Sequence, residues 1–255
     1  MAFLHVNGQS YSCKGILFDK DGTLLDFIAL WGTWAENVLS GINVALTDIG
    51  SRHLMDGTKL LGTVHNAAGQ VTGYDPAGPL SMATMEETYG LLAWQLYYAG
   101  MPWNEALTTV REISRQAMAE VRERRGALAL PGLLDFLQQC AGASVKLGVV
   151  TSDESTTTVE HLDWLGLSGV LGSVITRDKV SRGKPSPDMA ELACRELGLT
   201  PGETVLIGDS NADMQMGKNA GLCLTVGITS SSGSSSHLLD ADVVITDYTE
   251  LMITT

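Results

Sequence analysis

Cysteine and basic side chains are scarce in this chain, and long apolar runs are missing altogether. The four cysteines, Cys13, Cys140, Cys194 and Cys223, are scattered, with no Cys-x-x-Cys pair and no local histidine cluster. That spacing excludes the usual zinc site, and the four read as ordinary thiols. Lysine and arginine number 16 against 29 aspartates and glutamates, for a formal net charge of -13. Such an imbalance argues against nucleic acid or an anionic membrane as partner, and an anionic substrate would need local positive groups and a metal to overcome the field. No apolar segment reaches the roughly 18 residues of a membrane span, and the first residues lack a basic start followed by an apolar core. A cytoplasmic protein, monomer or homodimer, is expected.

What the chain does have is an ample apolar content. At 255 residues and 44% hydrophobic, it can bury one large core, or a core and a smaller domain. Phe3 to Val6 and Gln9 to Ser12 flank Asn7-Gly8, the favoured pair for a two-residue hairpin turn. Gly15-Ile16-Leu17-Phe18 follows as a buried strand and delivers Asp19 and Asp21 onto the Gly22-Thr23 turn. From about Ala29 to Ala127 the pattern turns helical, broken near Asp75 to Pro79 and Gly100 to Pro102. After Pro131-Gly132, short apolar strands alternate with helical segments, which implies βαβ units and a parallel sheet. The expected fold is α/β, a Rossmann-like three-layer core of residues 1–24 and 129–255 with an inserted α-helical cap at 25–128. Hinges are expected at about Leu25 to Phe27 and Gly126 to Gly132. The serine-rich stretch Ser230 to Ser236 reads as a mobile surface loop of the core.

Three further strands or loops carry chemistry. Residues i and i+2 of an extended segment share a face, so Asp19 and Asp21 point into one crevice and ask for a cation between them. Leu147 to Val150 ends in Thr151-Ser152, where hydroxyls and backbone N–H groups near a helix start suit a phosphate oxygen. Lys184, fixed between Gly183 and Pro185 ahead of a helix, supplies an ammonium for a carboxylate and for phosphoryl oxygens. Val205 to Gly208 ends in Asp209, which reaches the same metal if its strand neighbours the first. Asp19, the Asp21 backbone carbonyl and Asp209, completed by waters and a phosphate oxygen, make an octahedral Mg²⁺ site. Asp213 would then orient Lys184 or a metal-bound water.

The ordered set Asp19-Lys20-Asp21-Gly22-Thr23-Leu24, Thr151-Ser152, Lys184-Pro185 and Gly208-Asp209-x-x-x-Asp213 resembles the haloacid dehalogenase superfamily of phosphotransferases over the whole chain. The position of the insert is similar to the helical-cap type of phosphoglycolate phosphatase and β-phosphoglucomutase relatives. By this resemblance Asp19 is the nucleophile that forms an aspartyl-phosphate, Asp21 the general acid/base, and Thr151, Ser152 and Lys184 hold the phosphoryl oxygens. Asp at position 21 matches the superfamily's phosphatases and mutases; its ion-pumping ATPases carry Thr there and its phosphonatases Ala, while its dehalogenases lack this acid/base Asp.

The expected activity is Mg²⁺-dependent hydrolysis of a small phosphorylated metabolite, phosphoglycolate-like or a sugar phosphate. A phosphomutase is the alternative, although that group resembles Glu-Asp where this chain has Gly208-Asp209. A catalytically silent binding protein is a third reading. Arg52, Lys59, His65, Asn66 and Trp94 are candidates for substrate selection in the cap, with Trp31 and Trp34 near the entering hinge, although helix packing is the favoured reading of the tryptophans.

Overall fold

A computed structural model describes residues 2–51, 56–229 and 235–255. The chain divides into two compact units, Met1–Asp26 with Ala127–Thr255, and Phe27–Gly126. In chain order the first unit begins with β1 (Phe3–Val6), β2 (Gln9–Ser12) and β3 (Gly15–Phe18). The second holds α1 (Thr33–Asp48), α2 (Gly57–Leu61), β4 (Thr63–His65), β5 (Val71–Tyr74), α3 (Pro79–Met82), α4 (Met85–Tyr98) and α5 (Trp103–Arg124). The first unit then resumes with α6 (Leu133–Gly142), β6 (Lys146–Val150), α7 (Ser155–Trp164), β7 (Ser173–Ile175), α8 (Asp188–Leu197) and β8 (Thr204–Gly208). It closes with α9 (Asn211–Ala220), β9 (Leu224–Ile228), β10 (Val243–Ile245) and β11 (Met252–Thr254). No helix among the described residues is long and apolar enough to cross a membrane.

The main sheet has six parallel strands in the order β10-β9-β8-β3-β6-β7. β3 lies between β6 and β8, with Phe18 level with Val149 on one side and Ile207 on the other. Each strand of this central trio is almost wholly apolar, as a sheet covered on both faces requires. Alternation divides β3 between two cores: Ile16 and Phe18 pack with Phe136, Leu137 and Tyr248, while Leu17 packs with Met189, Leu206 and Met216. The chain leaves β3 for one side of the sheet and later returns to the other. The carboxyl end of β3 is therefore the topological switch point, where an open α/β sheet has its crevice.

A small antiparallel sheet, β11-β1-β2, completes this unit. Asn7 and Gly8 both have positive φ, as a type I′ hairpin demands. The pairing of β11 with β1 has no counterpart in the sequence reading, because Met252–Thr254 is too short to show a period. Of the serine-rich stretch, residues 230–234 lie outside the described residues, and Ser235–His237 forms a 3₁₀ turn.

The inserted unit differs from an all-helical expectation. β4 and β5 form an antiparallel hairpin, built on the β-branched residues Thr63, Val64, Val71 and Thr72. Asn66 Oδ1 accepts the N–H groups of Ala68 and Gln70, and His65 donates from Nδ1 to the Gly69 carbonyl. These two proposed substrate contacts are thus engaged in their own turn. Trp31 and Trp34 are buried edge to face, ring centroids 5.8 Å apart, so they are packing residues. Trp94 is half exposed beside Tyr97. Lys59 lies in the last turn of α2, and Arg52 falls outside the described residues. α1 and α4 both pack on α5, and Gly41 lets α1 approach Ile113 closely.

Candidate active site

Asp19 is the first residue after β3, and its N–H donates to the Ile207 carbonyl at 2.9 Å, extending the ladder to β8 by one bond. That bond fixes the backbone where the strand opens into the turn. Asp209 follows β8 directly, and Asp213 lies in the first turn of α9. Ser210 caps this helix: its Oγ accepts the Asp213 N–H at 3.3 Å, while Asp213 Oδ2 accepts from Ser210 Oγ at 2.5 Å and Ser210 N–H at 3.2 Å. The capping box holds Asp213 so that its other oxygen, Oδ1, meets Lys184 Nζ at 2.6 Å. Lys184 Nζ also donates to Asp19 Oδ1. One almost fully buried ammonium thus joins a carboxylate at the end of β3 to one in the first turn of α9.

Asp19, Asp209 and Asp213 each offer a carboxylate oxygen within 4.8 Å of the others. Two glycines make this density possible. Gly22 has φ +76, and a Cβ there would run into the Asp209 carboxylate. A Cβ on Gly208 would lie 2.6 Å from Asp213 Cβ and Cγ. Gly208→Ala is therefore expected to displace Asp213 from Lys184 and to lower turnover roughly 10- to 100-fold, the usual effect of losing an outer-shell partner. Steady-state activity, read beside a thermal melt showing an intact fold, checks it.

Charge in this cluster is unbalanced. Burial, with Asp213 and Asp21 nearby and Lys184 opposing, pushes the Asp19 carboxyl up to about 7. Burial, Asp19 and Asp213 together hold Asp209 well above the usual carboxylate range. Burial alone would lower Lys184, but Asp19 and Asp213 raise it above its ordinary value. Three carboxylates around a single ammonium are short of positive charge, and the Asp19 and Asp209 oxygens, with Asp213 tied to Lys184, are hard donors of the kind that suit a divalent cation such as Mg²⁺.

Thr151 follows β6, with its N–H donating to Ile175 O at 2.9 Å and its Oγ1 accepting the Asp153 N–H at 3.2 Å. It is buried, whereas Ser152 is exposed. The Asp21 carboxylate, as distinct from the backbone carbonyl expected to face a metal, lies against a side-chain cation. It pairs at 2.6 Å with Lys20, whose side chain is wholly buried and also meets Asp153 at 3.0 Å and His161 Nδ1 at 3.0 Å. The cation against Asp21 is thus a neighbouring side chain. Lys20, Asp153 and His161 escaped the sequence reading, although a lysine between two aspartates at the end of an apolar strand has to find partners or stay out of the core. Tyr248 donates its hydroxyl to the Thr23 carbonyl at 3.1 Å and packs against Phe136 with the rings tilted by 32°. His237 Nε2 donates to the Asp209 carbonyl at 3.0 Å.

The chain is similar in sequence to known phosphatases and in fold to solved structures. Validoxylamine A 7'-phosphate phosphatase of Streptomyces hygroscopicus subsp. limoneus is 34% identical over 135 residues, covering 53% of this chain and 62% of that protein. A phosphoglycolate phosphatase of Salmonella paratyphi A is 26% identical over 242 residues, covering 94% of this chain and 91% of that one. Among solved structures, a Thermotoga maritima protein assigned as a β-phosphoglucomutase superposes with a TM-score of 0.65 at 20% identity, covering 91% of this chain and 94% of that one. At that identity the likeness speaks for the fold alone. Residues 13–221 match the haloacid dehalogenase-like hydrolase family, and the chain, with its parallel sheet and its carboxylate-lined switch point, belongs to that family.

Proposed function

We propose that this protein is a Mg²⁺-dependent phosphatase that hydrolyses a small phosphorylated metabolite through an aspartyl-phosphate on Asp19. The observation that carries the reading is the placement of the Asp19 carboxylate at the switch point, in contact with Lys184 and within 4.8 Å of Asp209 and Asp213 oxygens. Asp19, the Asp21 backbone carbonyl and Asp209 would hold the ion. When bound, Mg²⁺ screens the repulsion between an anionic nucleophile and an anionic phosphate. Lys184 neutralises Asp19 and takes up charge on the phosphoryl oxygens, with Thr151 and Ser152 as further donors. Asp19 Oδ bonds to phosphorus as the ester P–O bond breaks, and Asp21 gives its proton to the departing oxygen. Asp21 then takes a proton from the water that displaces Asp19 and releases phosphate. Substrate selection is assigned to the inserted unit, and phosphoglycolate-like acids and sugar phosphates are the compounds to try first.

Phosphate release from a panel of phosphorylated metabolites, with Mg²⁺ and with a chelator, tests the reading. Release that disappears with chelator and returns with Mg²⁺ is the expected result. Isomerised sugar phosphate in excess of released phosphate would favour the mutase. Binding without turnover of any compound would favour a silent binding protein.

A further inference from the structure

Asp21, Asp153 and His161 each place a potential ligand atom within 4.8 Å of the others, a grouping that resembles a second metal site. The ammonium of Lys20 lies among them, 2.6 Å from Asp21 Oδ2, 3.0 Å from Asp153 Oδ2 and 3.0 Å from His161 Nδ1. Lys20 has no exposed surface, and its three partners come from the turn after β3, the loop after β6 and helix α7. A lysine ammonium has three N–H donors, and here three acceptors face it. The Asp21 and Asp153 carboxylates hold the ammonium protonated against the pull of burial, so it donates and His161 Nδ1 accepts. A buried ammonium is costly unless so surrounded, and breaking one partner leaves the rest uncompensated.

From this geometry we infer that Lys20 is the positioning residue of the acid/base step: anchored by Asp153 and His161, its ammonium serves as a tethered cation that fixes the Asp21 carboxylate. The inference rests on the role proposed above for Asp21. Lys20 itself exchanges no proton. In the first half-reaction Asp21 protonates the ester oxygen as the P–O bond breaks and Asp19 takes the phosphoryl group. In the second it accepts a proton from the water whose oxygen bonds to phosphorus as the Asp19–phosphorus bond breaks. A carboxylate free to rotate loses alignment in both.

Two esters separate this role from a merely structural one. An alkyl phosphate leaves poorly and needs the proton, whereas p-nitrophenyl phosphate expels nitrophenolate without it. Lys20→Met is expected to slow turnover of the alkyl ester by about 100-fold or more, in the range of general acid catalysis, with KM little changed. With p-nitrophenyl phosphate the same variant should release one equivalent of nitrophenolate per enzyme in a fast burst, then turn over slowly because the water-activating step is impaired. Asp153→Asn, which keeps the volume and removes one anchor, should show the same pattern more weakly, and it serves if Lys20→Met does not fold. Parallel losses on both esters without a burst, or an unchanged ratio between them in both variants, would overturn the inference while leaving the phosphatase intact. A wild type that releases neither product, or an Asp19→Asn variant that still turns over, overturns the phosphatase reading, and this inference with it.

Discussion

Asp19→Asn is expected to abolish phosphate release from every substrate the wild type hydrolyses, by about 10⁴-fold or more, the scale seen when a group central to covalent catalysis is removed. The amide is nearly isosteric and stays within reach of Lys184, so the backbone bond from residue 19 to Ile207 and the packing around it should survive. What it lacks is the anionic oxygen that bonds to phosphorus. Steady-state release and trapping of a phosphorylated enzyme read the two halves of the claim together. Retained turnover in the folded variant would mean that another group attacks, and the site would need a new nucleophile.

Lys184→Met is expected to destabilise the metal-free protein by about 3–5 kcal/mol, the usual range for breaking a buried ion pair from one side. Asp19 and Asp213 would lose their common counter-ion and face each other and Asp209 across less than 5 Å. The pH dependence has a definite sign. Lys184 is raised by its carboxylates, so its own contribution is fully present throughout the neutral range. Asp19 is instead raised to about 7 and Asp209 well above its ordinary value, chiefly by burial. Their ionisation in the folded state costs stability above the unfolded carboxylate range, and that cost grows as pH rises toward and through 7. The variant should therefore lose more at pH 8 than at pH 5, and added Mg²⁺ should restore part of the loss at pH 8. Urea titrations at both pH values, with and without the ion, measure it; equal destabilisation at both would refute this account.

The core was readable because its signals are local. Gly15–Phe18, Lys146–Val150 and Thr204–Gly208 are short apolar runs ended by Asp, Thr or Gly, and the last of them leads into a helix with a Ser210 capping box at its start and Gly221 at its end. Parallel pairing of such runs brings their carboxyl ends together, which is why the positions of Asp19, Thr151 and Asp209 directly after neighbouring strands were legible from sequence order. Less was visible where the determining contact is distant. Nothing near Lys20 in the chain announces Asp153 and His161, and the pairing of β11 with β1 joins opposite ends of the described chain. The β4–β5 hairpin was hidden for another reason: two strands of three and four residues are too brief to display an alternating pattern. Asn66 and His65 looked available for a ligand, and turn geometry claimed them first.

The central position of β3 also constrains how the molecule is made. Both of its hydrogen-bonded neighbours, β6 and β8, are encoded beyond the inserted unit, so β3 leaves the ribosome long before its partners exist. The inserted unit is continuous in sequence and can gather its own helices during that interval, whereas an apolar Gly15–Phe18 segment must wait unpaired. Asp19 acquires its Ile207 anchor only after β8 has been synthesised and docked. The turn after β3 is thus among the last parts of the first unit to take shape, and no truncated nascent chain lacking β8 can possess it.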